Sequence, residues 1–385
     1  MKISLSTIGK FHTFDLAREL YARGALASIF SGYPRFKLKN EALPDALIKS
    51  FPWVQTPYMA FPFRQHLSRS VMREWENFSA TTFGDYVARN LPECDLYVGL
   101  SGSALPAGKK AHQRGARFIC DRGSSHIRAQ DELLREEHAL WNIPFDGIDS
   151  RTIAREESEY EEADCITVPS TFVYTTFVEQ GVAASKIRLL PYGVNLSRFQ
   201  PVDKPDSQRF DMLFVGGMSL RKGVQYLVQA YQKIKHSSKS LTFVGSPSAS
   251  LIEALTSRGL WPEDAIVLGH LPQTELKQIM SRSHVLVLPS IEDGFGMVMA
   301  QAMACGCPVV ASNHTGAEDL MTNCLEGFIV PVRDVSALTD KLQQLADEPQ
   351  LRSVMGEKAL QKVQSLGGWG DYGDHAMKIY KEITK

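Results

Sequence analysis

Two glycine-rich loops in the second half of the chain carry residue types that bind a diphosphate. The first, VGGMSLRKG, spans Val215–Gly223 and places Arg221 and Lys222 just before an amphipathic stretch. Paired glycines such as Gly216 and Gly217 let the backbone turn tightly and approach a ligand closely. A helix that begins after such a turn offers free amides and the positive end of its dipole to an anion. The loop predicts a phosphate site, and an ordinary strand–helix turn with solvated cations is the alternative.

The second loop, SIEDGFGMVMAQAMACGCPVV, spans Ser290–Val310 and has the stronger pattern. Gly294 and Gly296 flank an aromatic residue, so backbone amides there can reach a ligand. Asp293 stands just before the predicted helix, and Gln301 lies about 12 Å further along it at 1.5 Å per residue. Each side chain could contact one end of an extended ligand. An N-cap aspartate and a solvated glutamine are the alternative, but two such loops in one domain favour a diphosphate site.

Alternating apolar runs and amphipathic stretches position both loops. This alternation predicts a parallel sheet with right-handed helical crossovers, and strands apolar on both faces indicate helices on each side. Ligands of such sheets bind beyond the carboxyl ends of the strands. The strands predicted to be buried are Met212–Val215, Leu241–Val244, Ile266–Leu268, Val285–Pro289 and Val309–Ala311, and the predicted helices are Val224–Lys235, Glu253–Arg258, Thr274–Arg282 and Met297–Ala304.

The first half of the chain shows the same alternation, so an α/β protein with two doubly wound domains is expected. A polar linker, Asn195–Arg209, separates the halves, and an amphipathic helix, Asp371–Ile383, ends the chain. The aromatic, proline-broken segment Phe51–Phe63 fits neither a regular helix nor a strand. We expect a loop packed on the core there, with an acceptor or membrane contact as the alternative. The predicted strands are Lys2–Ser6, Leu96–Leu100, Arg117–Asp121 and Cys165–Pro169, and the first helix is Asp15–Arg23.

Composition narrows the class of protein. The 385 residues, 44% hydrophobic and 22% charged, are typical of two folded domains. The net charge of -1 argues against a nucleic-acid binder. No apolar run is long enough for a membrane span, and the polar start is unlike a signal peptide. Six cysteines without a C-x-x-C pair indicate reduced thiols, and H-E-x-x-H and Asp-x-Asp spacings are absent. We therefore expect a cytoplasmic protein without a metal site.

Four stretches, in this order, resemble the retaining glycosyltransferases of family four, also called glycosyl transferases group 1, which have the GT-B fold. They are Glu161–Pro201, similar to the interdomain passage of the family, Val215–Tyr231, similar to its phosphate-binding turn, Asp293–Val310, similar to its signature, and Gly368–Ile383, similar to its terminal helix. The resemblance implies two Rossmann-like domains that face a central cleft. Residues 1–195 would bind the acceptor and residues 196–370 the nucleotide sugar, while a helix at 371–385 would cross back to the first domain.

The resemblance also implies that a sugar is moved from a UDP- or GDP-linked donor with its configuration retained, without metal or other cofactor. Lys222 and Arg221 would bind the departing diphosphate, Asp293 would hold the sugar, and Gln301 would hold the ribose. The residues expected to bind the donor are Gly216, Gly217, Arg221, Lys222, His270, Leu271, Asp293, Gly294, Phe295, Gly296, Met297, Val298 and Gln301.

This sequence departs from the family pattern at three positions. Asp293 and Gln301 stand where the family has two glutamates, and Gly217 stands where its phosphate turn has an arginine. Gln301 can still pair with ribose hydroxyls but carries no charge. Arg221 could replace the missing arginine from the next turn.

The acceptor is expected in the first domain. A histidine in a comparable place of the family points at the transferred sugar, and here this would be His126, the third expected catalytic residue beside Lys222 and Asp293. A loop histidine that only caps an element is the alternative. Gly9 would permit close backbone approach after the first strand, and His12 could lie nearby.

Three activities remain open. The first is sugar transfer to a glycolipid, polysaccharide or small hydroxyl acceptor. The others are a nucleotide-sugar epimerase of the same fold and a catalytically weak nucleotide-sugar-binding subunit. A basic, aromatic stretch at Tyr33–Asn40 could give weak peripheral contact with anionic lipid at the cytoplasmic membrane face, or it is a solvated loop.

Overall fold

The computed structural model of the protein describes residues 1–63 and 67–385. Within these ranges the first domain holds a seven-stranded parallel sheet with the order β3-β2-β1-β4-β5-β6-β7. Its strands are β1 (Ile3–Thr7), β2 (Leu26–Ser31), β3 (Ile48–Ser50), β4 (Leu96–Leu100), β5 (Arg117–Asp121), β6 (Cys165–Val168) and β7 (Ile187–Leu189).

The second domain is built in the same way. The part of it that the structure describes has a six-stranded parallel sheet with the order β10-β9-β8-β11-β12-β13. Its strands are β8 (Phe210–Val215), β9 (Lys239–Val244), β10 (Ile266–Val267), β11 (Val285–Leu288), β12 (Val309–Ser312) and β13 (Gly327–Val330). In both sheets the strand order reverses once beside the first strand, which is the topology that places a ligand beyond the carboxyl ends.

Helices connect these parallel strands, and most have a buried apolar face. The first domain contributes α1 (Thr13–Ala22), α2 (Gln55–Ala60), α3 (Arg69–Asn90), α4 (Leu105–Gln113), α5 (Ile127–Leu140), α6 (Ser150–Glu162) and α7 (Thr171–Glu179). The second domain contributes α8 (Val224–Lys233), α9 (Ala249–Thr256), α10 (Gln273–Arg282), α11 (Met297–Ala304), α12 (Ala317–Leu320), α13 (Val335–Asp347) and α14 (Pro349–Ser365), and α15 (Gly368–Ile383) ends the fold.

The terminal helix α15 packs on the first domain, although it follows the second in sequence. Tyr372 and Tyr380 lie in the same buried cluster as residues of β1 and α1. The Arg23 guanidinium donates to the Asp374 carboxylate at 2.7 Å and to the Gly370 carbonyl at 2.8 Å. The helix begins at Gly368, three residues before the predicted start. The chain therefore crosses between the domains twice, as the resemblance implied.

Two predictions about burial are wrong. The segment Ile266–Leu268 was expected as a buried strand, but Ile266 is 44% exposed, because β10 is an edge strand of two residues that pairs with β9. In the segment Phe51–Phe63, the packing prediction holds for Tyr58, which is buried in α2, and fails for Trp53 and Phe63, which are 76% and 63% exposed. The segment was expected to be a loop, but its middle forms α2. Trp53 precedes this helix and Phe63 follows it, so neither ring lies on the face of α2 that buries Tyr58.

Candidate functional site

A cleft between the two domains encloses a cavity of about 930 Å³. It lies at the carboxyl ends of both sheets, which is where the topology of each sheet places a ligand. Residues of both domains, of the linker and of α15 line it. Of the predicted site residues, His12, Met297 and Gln301 belong to this lining. The other predicted residues are not among the described residues that line it.

The amino end of α11 forms one wall of the cavity. Gly296 precedes the helix with φ 68°, a left-handed conformation that glycine adopts without a Cβ penalty. The Asp293 carboxylate accepts from the Gly296 amide at 3.2 Å, so this aspartate holds the turn that starts the helix. Met297 and Gln301 then present one face of α11 to the cavity. The first turn of this helix can offer amides to an anion, as expected from the sequence.

Lys222 and Asp293 form an ion pair across the two loops. The Lys222 ammonium lies 2.5 Å from the Asp293 carboxylate, and both side chains are partly open to solvent. The structure therefore brings together the two residues that were predicted to bind diphosphate and sugar. Without ligand they neutralise each other, so a bound donor would have to replace this pair with contacts to its phosphate and its hydroxyl groups.

Arg221 faces a different partner. Its guanidinium donates from Nε to the Glu292 carboxylate at 2.6 Å and from a terminal nitrogen to Ser124 Oγ at 3.3 Å. Ser124 belongs to the first domain and lines the cavity. Arg221 therefore lies at the junction of the domains, at the edge of the cavity.

Glu292 is the residue that the sequence analysis missed. Its side chain is 0% exposed, and besides Arg221 its carboxylate accepts from the amide and hydroxyl of Ser125 and from Gln130 Nε2 at 2.9–3.0 Å. Burial raises the pKa of this carboxyl, but Arg221 and the Ser125 amide outweigh it, so the pKa lies below its usual 4.5. Nothing in the sequence distinguishes Glu292 from a solvated acid beside Asp293, because its partners stand far away in the chain.

The glycines of the two loops have different roles. A Cβ at Gly294 would lie 1.9 Å from the carbonyl oxygen of Gly123 in the first domain, so this position allows the domains to meet. A Cβ at Gly217 would meet no atom within 4 Å. The position at which the family has an arginine thus has open space beside it. Gly216 continues β8 with its amide bonded to the Val244 carbonyl at 2.9 Å.

The remaining predicted donor residues lie around these loops. The Phe295 ring is buried against Tyr192, with ring centroids 5.3 Å apart, so only its backbone could face a ligand. Val298 is half-buried on α11. His270 and Leu271 follow β10, next to Gln273, which lines the cavity. His270 and Leu271 are themselves absent from the described residues that line the cavity, and their contact with the base stays a prediction.

The first-domain wall contains His12, which follows β1. Its Nε2 lies 2.6 Å from the Asp121 carboxylate, and its ring stacks on Tyr192 with centroids 4.1 Å apart. The carboxylate thus fixes the orientation of this imidazole at the cavity surface. At Gly9 a Cβ would lie 2.5 Å from the Phe11 ring. That glycine makes room for Phe11, which lines the cavity, rather than for a ligand directly.

His126 lies elsewhere than predicted. Its ring is buried between Tyr160 and Phe177, with centroids 5.0 and 4.9 Å away, and it is absent from the described residues that line the cavity. Its Nδ1 accepts from the Arg128 amide at 3.2 Å and caps α5. Burial lowers the pKa of His126 to about 4. The structure therefore shows the capping alternative, because the strand-to-helix turn directs this side chain inward.

Helix α5 joins the two domains. The Glu137 carboxylate is buried and accepts from Gln225, Tyr226 and Arg333 of the second domain at 2.7–2.8 Å. At the end of the helix, Trp141 belongs to the apolar core of the second domain. The domains thus meet through buried charged groups and an apolar contact at the end of α5.

The described residues contain neither a candidate metal site nor a candidate membrane-spanning helix. In residues 1–63 and 67–385 no group of three or more His, Cys, Asp or Glu side chains is arranged to hold a metal ion. No helix of the described chain combines the length and the apolar character that a membrane crossing needs. Its six cysteines are free thiols, and four of them are buried.

Comparison with known proteins gives a family match within the second domain. Residues 198–362 match the family described as Glycosyl transferases group 1. The chain is 27% identical to a D-inositol 3-phosphate glycosyltransferase of Catenulispora acidiphila over 226 residues, which are 53% of this chain and 54% of that protein. It spans about half the length of the curated relatives it matches.

Solved structures match over the whole chain. A sucrose-phosphate synthase from Thermosynechococcus elongatus has a TM-score of 0.75 at 22% identity and covers 100% of this chain and 99% of its own. The Anabaena protein HepE, in complex with UDP and glucose, has a TM-score of 0.73 at 16% identity and covers 99% and 100%. Because both sequence identities are below 25%, these matches show that the fold is shared and nothing about function. Residues 198–362 therefore resemble the glycosyl transferases of group 1, and the whole chain has the GT-B fold that the sequence predicted.

Proposed function

We propose that the protein is a retaining, metal-independent glycosyltransferase that moves a sugar from a UDP- or GDP-linked donor to a hydroxyl acceptor. The observation that carries this proposal is the Lys222–Asp293 pair beside the amino end of α11. A cation, a carboxylate and free helix amides are then available at one point of the cleft. The similarity to a protein crystallised with UDP and glucose supports a nucleotide-sugar donor.

The chemistry follows from where charge develops. When the bond between sugar and diphosphate breaks, negative charge grows on the phosphate and positive charge on the sugar ring. Lys222 would leave Asp293 and contact the phosphate as a compact point charge, helped by the amides of the first turn of α11. Fixed positive charge that faces the developing negative charge stabilises the leaving group.

The other residues would orient the donor. Asp293, freed from Lys222, would accept hydrogen bonds from hydroxyls of the sugar. Gln301, about 6 Å along α11 from Met297 at 1.5 Å per residue, would donate to and accept from the ribose hydroxyls. The region of His270 and Leu271 would contact the base. The departing phosphate would take the proton of the acceptor hydroxyl, so no protein nucleophile is required.

A catalytically weak donor-binding subunit is a second candidate. It is favoured by Gly217, which leaves the arginine position of the family without a side chain, and by Arg221, which is held by Glu292. Such a subunit would bind nucleotide sugar in calorimetry without transferring or hydrolysing it.

The test is Lys222→Ala, with Lys233→Ala as the matched control on the exposed face of α8. A calorimetric screen of UDP- and GDP-sugars first identifies the donor, and its turnover is then followed with and without a chelator. Loss of the phosphate contact should lower the rate about 10²–10³-fold, and the control should keep the wild-type rate. Full turnover by Lys222→Ala, or loss of wild-type turnover with the chelator, would contradict the proposal.

A further inference from the structure

The first-domain wall of the cleft carries cations that are all paired. Glu41 is buried, and its carboxylate forms ion pairs with Lys10 and with Arg18, the latter at 2.7 Å. Arg18 also pairs with Asp15, one turn earlier in α1. Lys10, Asp15, Arg18 and Glu41 all line the cavity. Two cations and two carboxylates therefore share this part of the wall, and their charges cancel.

A third first-domain cation lines the cavity nearby. The Nη1 of Arg122 lies 2.5 Å from the Glu156 carboxylate and also donates to Ser101 Oγ. Its Nε donates to the Ser125 carbonyl and its Nη2 to Gln130 Oε1. Arg198 also lines the cavity, but it comes from the linker and bonds Gln273 of the second domain. Among the described lining residues, the first domain thus offers no cation without a carboxylate partner.

Aromatic rings complete this wall. The Phe11 side chain is 54% exposed although it lies at the cavity, and Trp369 of α15 lines the same space. Rings that are exposed or half-buried at a cavity can pack against the C–H face of a sugar. Carboxylates and guanidinium groups beside them can accept from and donate to neighbouring hydroxyls, and hydrogen bonds with charged groups are the stronger ones.

We infer that this half of the cleft binds an uncharged sugar ring of the acceptor, rather than a phosphorylated acceptor. The inference rests on the proposed function, because it presumes that the second domain holds the donor. A phosphate group placed here would meet Lys10 and Arg18 only together with Glu41 and Asp15. Coulomb repulsion from these carboxylates would offset the attraction, whereas the Lys222–Asp293 pair has the first-turn amides of α11 beside it to favour an anion. A neutral polyol meets no such repulsion and can use all four groups.

The experiment first saturates the donor site of the second domain with the nucleoside diphosphate that binds in calorimetry. Inorganic phosphate is then titrated into this complex. Wild type should show no phosphate binding. Glu41→Gln keeps the shape of the side chain, frees Lys10 and leaves Arg18 paired with Asp15 alone. It should bind phosphate at least about tenfold more tightly than the limit that can be detected for wild type, a factor that corresponds to 1.4 kcal/mol. Asp45→Asn, which removes an exposed carboxylate in the same segment, is the matched control and should behave like wild type.

A double variant tests whether Lys10 is the cation that binds the phosphate. Adding Lys10→Ala to Glu41→Gln should abolish the gained phosphate binding. Phosphate binding by wild type, or the same absence of binding in Glu41→Gln, would overturn the inference, since the carboxylate would then not be what excludes the anion. Failure of any nucleotide or nucleotide sugar to bind would instead count against the proposed function, and it is measured separately in the first calorimetric step.

Discussion

Replacing Glu292 by alanine tests whether this buried carboxylate holds the two domains together. Three hydrogen bonds from Ser125 and Gln130 of the first domain end on it, together with the ion pair to Arg221. Hydrogen bonds to a charged group contribute about 1.5–3 kcal/mol each, but they do not add, because the Ser125 hydroxyl can turn to another acceptor. Breaking a buried ion pair costs about 3–5 kcal/mol, and the 34% exposure of Arg221 places the present case at the lower end.

We therefore expect Glu292→Ala to lower the free energy of unfolding in urea by about 3 kcal/mol. Glu357→Ala, a carboxylate on the exposed face of α14, is the control and should stay within about 0.5 kcal/mol of wild type. Glu292→Gln should fall between the two, because its amide can still accept from Ser125 but places a donor against Arg221. A loss below about 1 kcal/mol for the alanine variant would refute the role assigned to this carboxylate.

The pH dependence of this effect has a definite sign. The pKa of Glu292 lies below its usual 4.5 in the folded protein, so the unfolded chain binds the proton more readily. Its contribution to stability is present above pH 4.5 and is lost as the pH falls towards the lower folded value. The difference between wild type and Glu292→Ala should therefore shrink when unfolding is measured at increasingly acid pH.

Two further variants test the domain contact and the buried histidine. Gly294→Ala places a Cβ 1.9 Å from the Gly123 carbonyl oxygen, so it should push the domains apart. We expect a larger radius of gyration in X-ray scattering, and an unchanged radius would refute the close contact. His126→Asn keeps an N-cap acceptor but removes a group whose pKa falls from 6.5 to about 4 on folding. Wild type should lose about 2 kcal/mol between pH 7 and pH 5 through this histidine, and the variant should lose correspondingly less in the same urea titrations.

The second domain could be predicted closely because its strands are apolar on both faces. The predicted helix Met297–Ala304 agrees with α11, and the predicted strand Val285–Pro289 differs from β11 by one residue. The first domain was harder. Strand β2 (LASIFS) has pairs of apolar residues separated by serines rather than strict alternation. Helix α3 buries the stripe Ser79, Ala80, Phe83, Gly84 and Val87 but leaves Val71 and Phe78 exposed, so its apolar residues are not confined to one face. Both patterns weaken the periodicity that identifies a buried element from sequence.

The sequence indicated which two loops contribute to the candidate site, but it did not indicate which charged side chains form ion pairs there. Glycines and charged residues after β8 and β11 indicated two loops at one edge of a parallel sheet, and the structure brings them together. Which charges pair depends on how the domains meet. Ser125 lies 167 residues before Glu292, and no local pattern encodes such a contact.

This pairing changes what Arg221 can contribute. From the sequence, Arg221 was expected to supply the charge that is missing at Gly217. In the structure its Nε is bound to Glu292 and one terminal nitrogen contacts Ser124, so only part of its guanidinium is left for a phosphate. Glu292 also accepts a hydrogen bond from Ser125. A phosphate that displaced Arg221 would therefore also displace the first-domain loop that contains Ser125. Arg221 is thus less a replacement for the missing arginine than a link through which the second domain contacts the first-domain wall.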